Sequence, residues 1–336
     1  MGNCDSSIEN RTKNISKLSI NNDYSGNFSS PKISNSTEKN ISLKNREYIL
    51  SENISKREDI SKKYKLSNQK LGDGATSIVY VGEDISSKQK FAIKRIIKEK
   101  ILSKLNNVIK ESEICLKLKN KNIISYYEIY EDTQFISIVM ELGDTDLFEL
   151  ISKNPQEVIP EDMAIDFLIQ IFESIDYLHN THNIIHCDIK PENYIVKYEN
   201  NNKSKPILKL IDFGNIRKKP INNKERLLNF CGTKEYMAPE TLENYGFNEK
   251  VDEWAAGVIM FNLLTGTDPF ASDNDSDYKD NIKFKNIKFD FIKNNSLREL
   301  NKKLLNRFID RRITAKEALE EIKKIKDNLK LNNNIN

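Results

Sequence analysis

No two of the four cysteines form a Cys-x-x-Cys pair: Cys4, Cys115, Cys187 and Cys231 stand far apart. Neither a zinc site nor a disulfide framework is indicated, and reduced thiols are the simple reading. No block of a single charge is present. Lys and Arg number 53 against 50 Asp and Glu, a formal +3, which leaves no electrostatic footprint for nucleic acid. Long apolar runs are missing too. A stretch such as Gly257 to Leu264 is far short of the ~20 residues that span a bilayer. The start lacks the apolar segment of a signal peptide, so secretion is not expected. Hydrophobic residues make up 38% of the 336, below the share of a well-packed globular chain. Either packing is loose throughout, or an unfolded part dilutes the rest.

The second alternative fits the distribution. Residues 1–60 hold 12 Ser and 10 Asn, with scattered Ile, Leu, Tyr and Phe and no sustained period. Such a segment cannot bury enough apolar surface to offset its ordering entropy. A disordered arm is expected over residues 1–62, followed by one folded unit over 63–331. From about Tyr64 the texture changes. Apolar runs at Ser77–Val81, Lys90–Ile96 and Phe135–Met140 read as strands. Helical periodicity follows at Glu161–His179, Val251–Thr265 and Thr314–Leu329. Strands first and helices afterwards predict an α+β chain, with a sheet-rich lobe (63–141) joined to a helical lobe (142–331). Residues 199–205 read as an insertion between two short strands, and 272–288 as polar and irregular.

Leu71-Gly72-Asp73-Gly74 stands between two strand-like stretches. Glycine there lets a hairpin bend and lets backbone amides approach phosphate oxygens. A third glycine, usual in such loops, is replaced by Ser77. Strand-like residues follow the glycines rather than a helix, which excludes a dinucleotide-binding turn. Phe91-Ala92-Ile93-Lys94 then puts one lysine on an apolar strand. A lysine aimed into a core needs an anionic partner or loses its charge. Glu111 and Glu113, on a stretch with helical spacing, are the candidates.

Three further strings follow in order: His186-Cys187-Asp188-Ile189-Lys190-Pro191-Glu192-Asn193, Asp212-Phe213-Gly214 and Ala238-Pro239-Glu240. Each alone would be noise. Together, after a Gly-rich hairpin and a strand lysine, they are highly specific. The sequence resembles a eukaryotic Ser/Thr protein kinase over roughly residues 64–331. The resemblance implies a bilobal fold, ATP and Mg²⁺ as cofactors, and protein substrates.

By the same resemblance, Lys94 would contact the α- and β-phosphates, with Glu111 preferred over Glu113 to orient it. Asn193 and Asp212 would hold Mg²⁺. Asp188 would receive the substrate hydroxyl proton, and Lys190 would neutralise the γ-phosphate. Val79, Ala92 and Ile195 would sandwich adenine, beneath Leu71 and the glycines. Met140 would precede a hinge at Glu141-Leu142. Thr233 would bridge Asp188 and Lys190, as in Ser/Thr kinases. Glu240 would pair with Arg312, and Asp252 would anchor the catalytic-loop backbone. Cys115, Tyr126, His186 and Phe213 would stack between the lobes. With all four core polar residues present, a pseudokinase is disfavoured. Thr233 and the intact Ala-Pro-Glu string argue against a small-molecule kinase.

Cys187 replaces the arginine that, in the family, pairs with a phosphate on the activation loop. No Ser, Thr or Tyr lies between Asp212 and Gly232. Donor and receiver of a phosphate switch are thus both missing, and activity independent of loop phosphorylation is expected. Asp146 and Glu192 are acidic where related kinases read a basic residue upstream of the target, although Asn262 occupies a third such position. Arg or Lys three residues before the Ser/Thr is therefore expected. Phe230 to Glu240 and Lys250 to Val258 look most like the calcium/calmodulin-dependent and calcium-dependent kinase group. No EF-hand loop is present, and no direct calcium site is expected. Finally, Met1-Gly2-Asn3-Cys4-Asp5-Ser6 matches the pattern for N-myristoylation at Gly2, with Cys4 placed for palmitoylation. A cytoplasmic protein anchored at the inner face of a membrane by acyl chains is the expectation.

Overall fold

The computed structural model describes residues 55–56, 58–152, 159–199, 205–222, 225–229, 232–243, 245–272 and 274–333. Gly2, Cys4, Phe230, Cys231 and nearly all of the arm lie outside the described residues.

The smaller lobe is one six-stranded sheet. Its strands are β1 (Ser55–Lys56), β2 (Tyr64–Asp73), β3 (Ser77–Asp84), β4 (Lys90–Ile97), β5 (Tyr126–Glu131) and β6 (Phe135–Met140), in the order β1-β5-β6-β4-β3-β2. Alternation in the sequence explains the central strands. On β4, Phe91 and Ile93 enter a cluster with Tyr64, Tyr130 and Val139, while Ala92 and Ile96 join the larger core on the other face. Tyr64 packs edge-on against Phe91 and Tyr130, at 5.5 and 6.1 Å between ring centres. Helix α1 (Leu105–Lys117) lies between β4 and β5. Part of the expected arm belongs to this lobe. Ser55 and Lys56 pair in parallel with Ile129 and Tyr130, and Ile60 is buried. A strand of two residues has no periodicity to read, so the sequence pattern misses it.

The larger lobe contains α2 (Leu147–Ser152), α3 (Glu161–Asp176), α4 (Pro239–Leu242), α5 (Lys250–Thr265), α6 (Asp275–Phe284), α7 (Asn295–Leu304) and α8 (Ala315–Asn333). Short strands carry its functional face: β7 (Thr145–Asp146), β8 (Ile184–Ile185), β9 (Tyr194–Tyr198), β10 (Pro206–Leu210) and β11 (Arg217–Lys218). Helix α5 is the centre. It is buried on every side from Val251 to Phe261, as expected of a helix that is apolar all round. Leu304 and Leu305 press so closely that a Cβ at Gly257 would stand 2.8 Å from Leu304 Cβ. Gly266, at φ +68°, ends the helix by donating to the Asn262 carbonyl, the usual left-handed cap.

Helix α6 corrects the expectation of an irregular 272–288. Asn274 caps it by accepting from the Asp277 amide at 2.9 Å. Among its described side chains only Tyr278 and Ile282, one turn apart, are buried. Phe284, the third apolar residue of the helix, is exposed, and so few apolar residues in a polar run show no period.

Candidate active site

At the Gly-rich hairpin, Gly72 pairs with Val79, and the Gly74 amide donates to the Ser77 carbonyl at 2.8 Å. Neither glycine has a positive φ. A Cβ at Gly74 would make ordinary contact, 3.4 Å from the Ser77 oxygen. The bend therefore does not require glycine. What the missing side chains leave is room for a ligand beside the hairpin amides.

Beneath the hairpin, β4 sets Ala92 opposite Met140 and Lys94 opposite both Val79 and Ile138. Val79, Ala92, Met140 and Leu142 pack on the main core, and Leu71 stands half-exposed at the rim. The hinge carries a requirement that the sequence pattern does not show. A Cβ at Gly143 would lie 1.8 Å from Ile195 Cγ2, so only glycine lets the hinge pass that close to the cleft floor. The Glu141 side chain also does more than precede it. It pairs with Lys197 on β9 and with Lys209 on β10, the latter at 3.1 Å. Burial would raise the Glu141 carboxyl, but the two lysines overcome it and hold the group below its ordinary range. The hinge is thus tied to the larger lobe by an ion cluster from strands that follow much later in the chain.

Lys94 reaches across to Asp212, with Nζ 2.8 Å from Oδ1. Asp212 sits at φ +60°, and the Lys94 charge holds its carboxyl below the usual range against the opposing effect of burial. Glu111 lies on α1 one turn before Cys115. Burial pushes the Cys115 thiol up to about 12, with the Glu111 charge adding to it. Phe213 meets Tyr126 and His186 edge-on at 6.1 and 5.2 Å. The expected stack of Cys115, Tyr126, Phe213 and His186 is therefore assembled between the lobes.

The catalytic-loop candidates converge on one carboxylate. Asp188 Oδ1 accepts from the Thr233 amide at 3.0 Å and from its hydroxyl at 2.7 Å. Asp188 Oδ2 accepts from Asn193 Nδ2 at 3.2 Å and faces Lys190 Nζ at 3.3 Å. Lys190 in turn donates to Thr233 Oγ1 at 2.6 Å. Asn193 spends its amide N–H groups on Asp188, including the backbone oxygen at 2.8 Å.

Asp252, buried at the start of α5, suspends this loop. Its Oδ2 accepts from the His186 amide at 2.8 Å and its Oδ1 from the Cys187 amide at 2.9 Å. Cys187 can thereby hold φ +66°, a conformation costly for a non-glycine residue. A partner absent from the sequence reading is His179, in the π-helical turn after α3. Its ring touches Asp252 at 2.8 Å and the buried Glu253 at 3.3 Å. Burial alone would favour the neutral ring, but the two carboxylates overcome it and hold the pKa up at about 10. Arg312 pairs bidentately with Glu240, at 2.7 and 3.0 Å.

On the substrate side, Asp146 Oδ1 accepts from the Glu149 amide at 2.7 Å and so caps α2. Glu192 is half-enclosed. Burial raises its carboxyl pKa, Lys190 opposes this, and Asp146 and Asp188 add to the rise.

A sheet lobe, a helical lobe and a polar cluster between them make this a bilobal phosphotransferase fold. A sequence profile described as "Protein kinase domain" matches residues 66–322. The chain belongs to the protein kinase family. Its relatives include the serine/threonine-protein kinase dkf-2 of Caenorhabditis briggsae, 34% identical over 66% of this chain and 18% of that protein. Myosin light chain kinase A of Dictyostelium discoideum is 34% identical over 69% of this chain and 76% of that protein. The serine/threonine-protein kinase DCLK3 of Mus musculus is 33% identical over 78% and 33%. The match thus spans less than two thirds of dkf-2 and DCLK3, and more than two thirds of myosin light chain kinase A.

Proposed function

We propose that this chain is an active serine/threonine protein kinase, transferring the ATP γ-phosphoryl group to protein Ser or Thr. The observation that carries it is Asp188, held at both oxygens by Thr233, Asn193 and Lys190. A carboxylate so fixed can orient a hydroxyl and take its proton. The hydroxyl oxygen attacks the γ-phosphorus, and ADP leaves. Lys190 stabilises the developing negative charge, and Lys94 positions the phosphates.

Asn193 and Asp212 offer hard oxygen ligands, and no cluster of three His, Cys, Asp or Glu that could cage a metal exists among the described residues. That donor set fits Mg²⁺, which is held by one or two carboxylates together with substrate phosphates. When bound, it would neutralise phosphate charge.

Three finer readings have separate support. A basic residue upstream of the acceptor suits Glu192, whose charge is destabilised by burial and by the neighbouring Asp146 and Asp188. Independence from loop phosphorylation suits Cys187, which is buried in an apolar cluster with Phe247 and Trp254. The loop has ties of its own. β11 pairs with β8, Leu227 and Phe247 exchange backbone hydrogen bonds, and Lys219 meets Glu249 at 3.4 Å. Placement near the calcium/calmodulin-dependent group rests on the Phe230–Glu240 and Lys250–Val258 strings.

The full chain, stripped by phosphatase and repurified, is expected to phosphorylate a peptide array with enrichment of Arg or Lys three residues before the Ser/Thr. A flat array removes the basic preference, and activity lost on stripping and traced to the loop removes the independence. Anchoring through Gly2 and Cys4 follows the two-signal rule for acyl chains. Gly2→Ala should move the chain from the membrane to the soluble fraction of expressing cells, and an unchanged distribution refutes the anchor.

A further inference from the structure

The chain's formal +3 is unevenly spread. Residues 282–312 hold ten Lys and Arg against three Asp and Glu, 10 − 3 = +7, so the rest of the chain carries 3 − 7 = −4. Lysine alternates there with apolar residues, as in Ile282-Lys283-Phe284-Lys285 and Ile287-Lys288-Phe289.

Four large apolar side chains stand out from the surface within this segment or beside it. Phe284 is 75% exposed, Phe308 67%, Tyr245 75% and Leu228 63%. They belong to four stretches joined in a ring. Leu227 and Phe247 exchange backbone hydrogen bonds at 2.7 and 2.8 Å. Arg226 reaches Asp310 at 3.1 Å. Arg307 donates to the carbonyls of Ile282 and Lys285 at the end of α6, at 2.7 and 2.6 Å. Lys283 closes the ring on Glu243 at 2.9 Å, two residues before Tyr245. The four side chains therefore project from one region of the larger lobe. Together they expose on the order of 500 Å², a size at which apolar surface marks a binding site.

The carboxylates of Glu243 and Asp310 are spent on Lys283 and Arg226. Lys285 gives its ammonium to the Ala271 carbonyl. Lys288 lies over Phe291, and Arg311 lies over Phe308 at 5.0 Å from the ring centre. None of these three cations forms an ion pair among the described residues. Asp280, one turn before Phe284 on α6, opposes this excess. Outward apolar tips among uncompensated cations suit an apolar layer lying just beneath negative charge. A lysine needs no fixed partner geometry, so the diffuse charge of lipid headgroups serves it.

We propose that this ring is a docking face for an anionic lipid bilayer. Leu228, Tyr245, Phe284 and Phe308 enter the headgroup layer, and Lys285, Lys288 and Arg311 meet its negative charge. The docking requires neither an acyl chain nor phosphoryl transfer.

The test uses the full chain with Gly2→Ala and Cys4→Ser, so that no acyl chain contributes. Co-sedimentation is measured with vesicles of phosphatidylcholine, with and without phosphatidylserine, at low and high salt. The chain should sediment with the phosphatidylserine vesicles alone and be released as salt rises, because exposed charges are screened. Phe284→Ser with Phe308→Ser should weaken binding by about tenfold or more, the scale of two partly inserted rings. Lys285→Gln with Arg311→Gln should weaken it by about twentyfold, roughly fivefold for each charge near the lipid surface. A thermal melt should not separate either pair from the parent. Ile85→Ser, at an exposed apolar residue of the smaller lobe, should leave binding intact. Absence of binding to either vesicle refutes the docking, as does equal binding without phosphatidylserine. Binding that survives both pairs of changes puts the bilayer on another surface and refutes it too. A chain that ignores vesicles but self-associates, until Phe284→Ser with Phe308→Ser separates it, gives the face to a second copy instead.

Discussion

Asp188→Asn is expected to cut phosphoryl transfer by about two to four orders of magnitude, the range for a positioned general base, without unfolding the chain. The replacement has the same shape, and its oxygen can still accept from the Thr233 amide and hydroxyl that now bond Oδ1. What it loses is basicity, together with the charge facing Lys190 at 3.3 Å. The expected signature is a fall in kcat larger than any change in KM for ATP, because Lys94 and the hairpin do not depend on this carboxylate. The check is steady-state kinetics beside a thermal melt. Activity within threefold or so of the parent, in a preparation proven free of contaminating kinase, would mean that the proton leaves by another route and would withdraw the central assignment.

The largest loss of stability is expected at Glu240. Arg312 has a fully buried side chain, bonded through its two terminal nitrogens to the Glu240 carboxylate. It also lies over the Trp254 ring, 4.9 Å from the ring centre. Two further donors go to the backbone oxygens of Asn306 and Lys250. Glu240→Ala leaves a guanidinium with no counter-charge in a dry site, a change that costs about 3–5 kcal/mol. For a domain of this size that is a Tm loss of about 6–20 °C. Lys302, whose pair with Glu299 is exposed on α7, sets the contrast, since Lys302→Ala should cost under about 1 kcal/mol. The double change Glu240→Leu with Arg312→Met removes both charges together and should recover most of the loss, because hydrophobic replacement of a buried pair is often neutral. A melt showing no difference between Glu240→Ala and Lys302→Ala would contradict the reading.

What could be read from the sequence follows from how local each feature is. Asp188, Lys190 and Asn193 share one short string, so their chemistry is visible before any fold is known. Lys94 is legible because a lone charge interrupts an apolar strand. The tie between Glu141 and Lys197 or Lys209 leaves no local mark, since the partners come from later strands and surface lysines look alike. His179 and Glu253 are hidden for a related reason. Inside stretches that read as amphipathic or core helix, nothing signals that an ion pair has been enclosed. The glycine at Gly143 is equally silent, because its need arises from Ile195, far along the chain.

The suspension of the catalytic loop from Asp252 carries a consequence for how damage would show itself. The amides of His186 and Cys187 hang from a helix that water does not reach. Nothing at the surface can take over that support. Small faults deep within the larger lobe thus tilt the machinery before they melt the scaffold, and a crippled variant can pass every assay of solubility and compactness while turning over poorly.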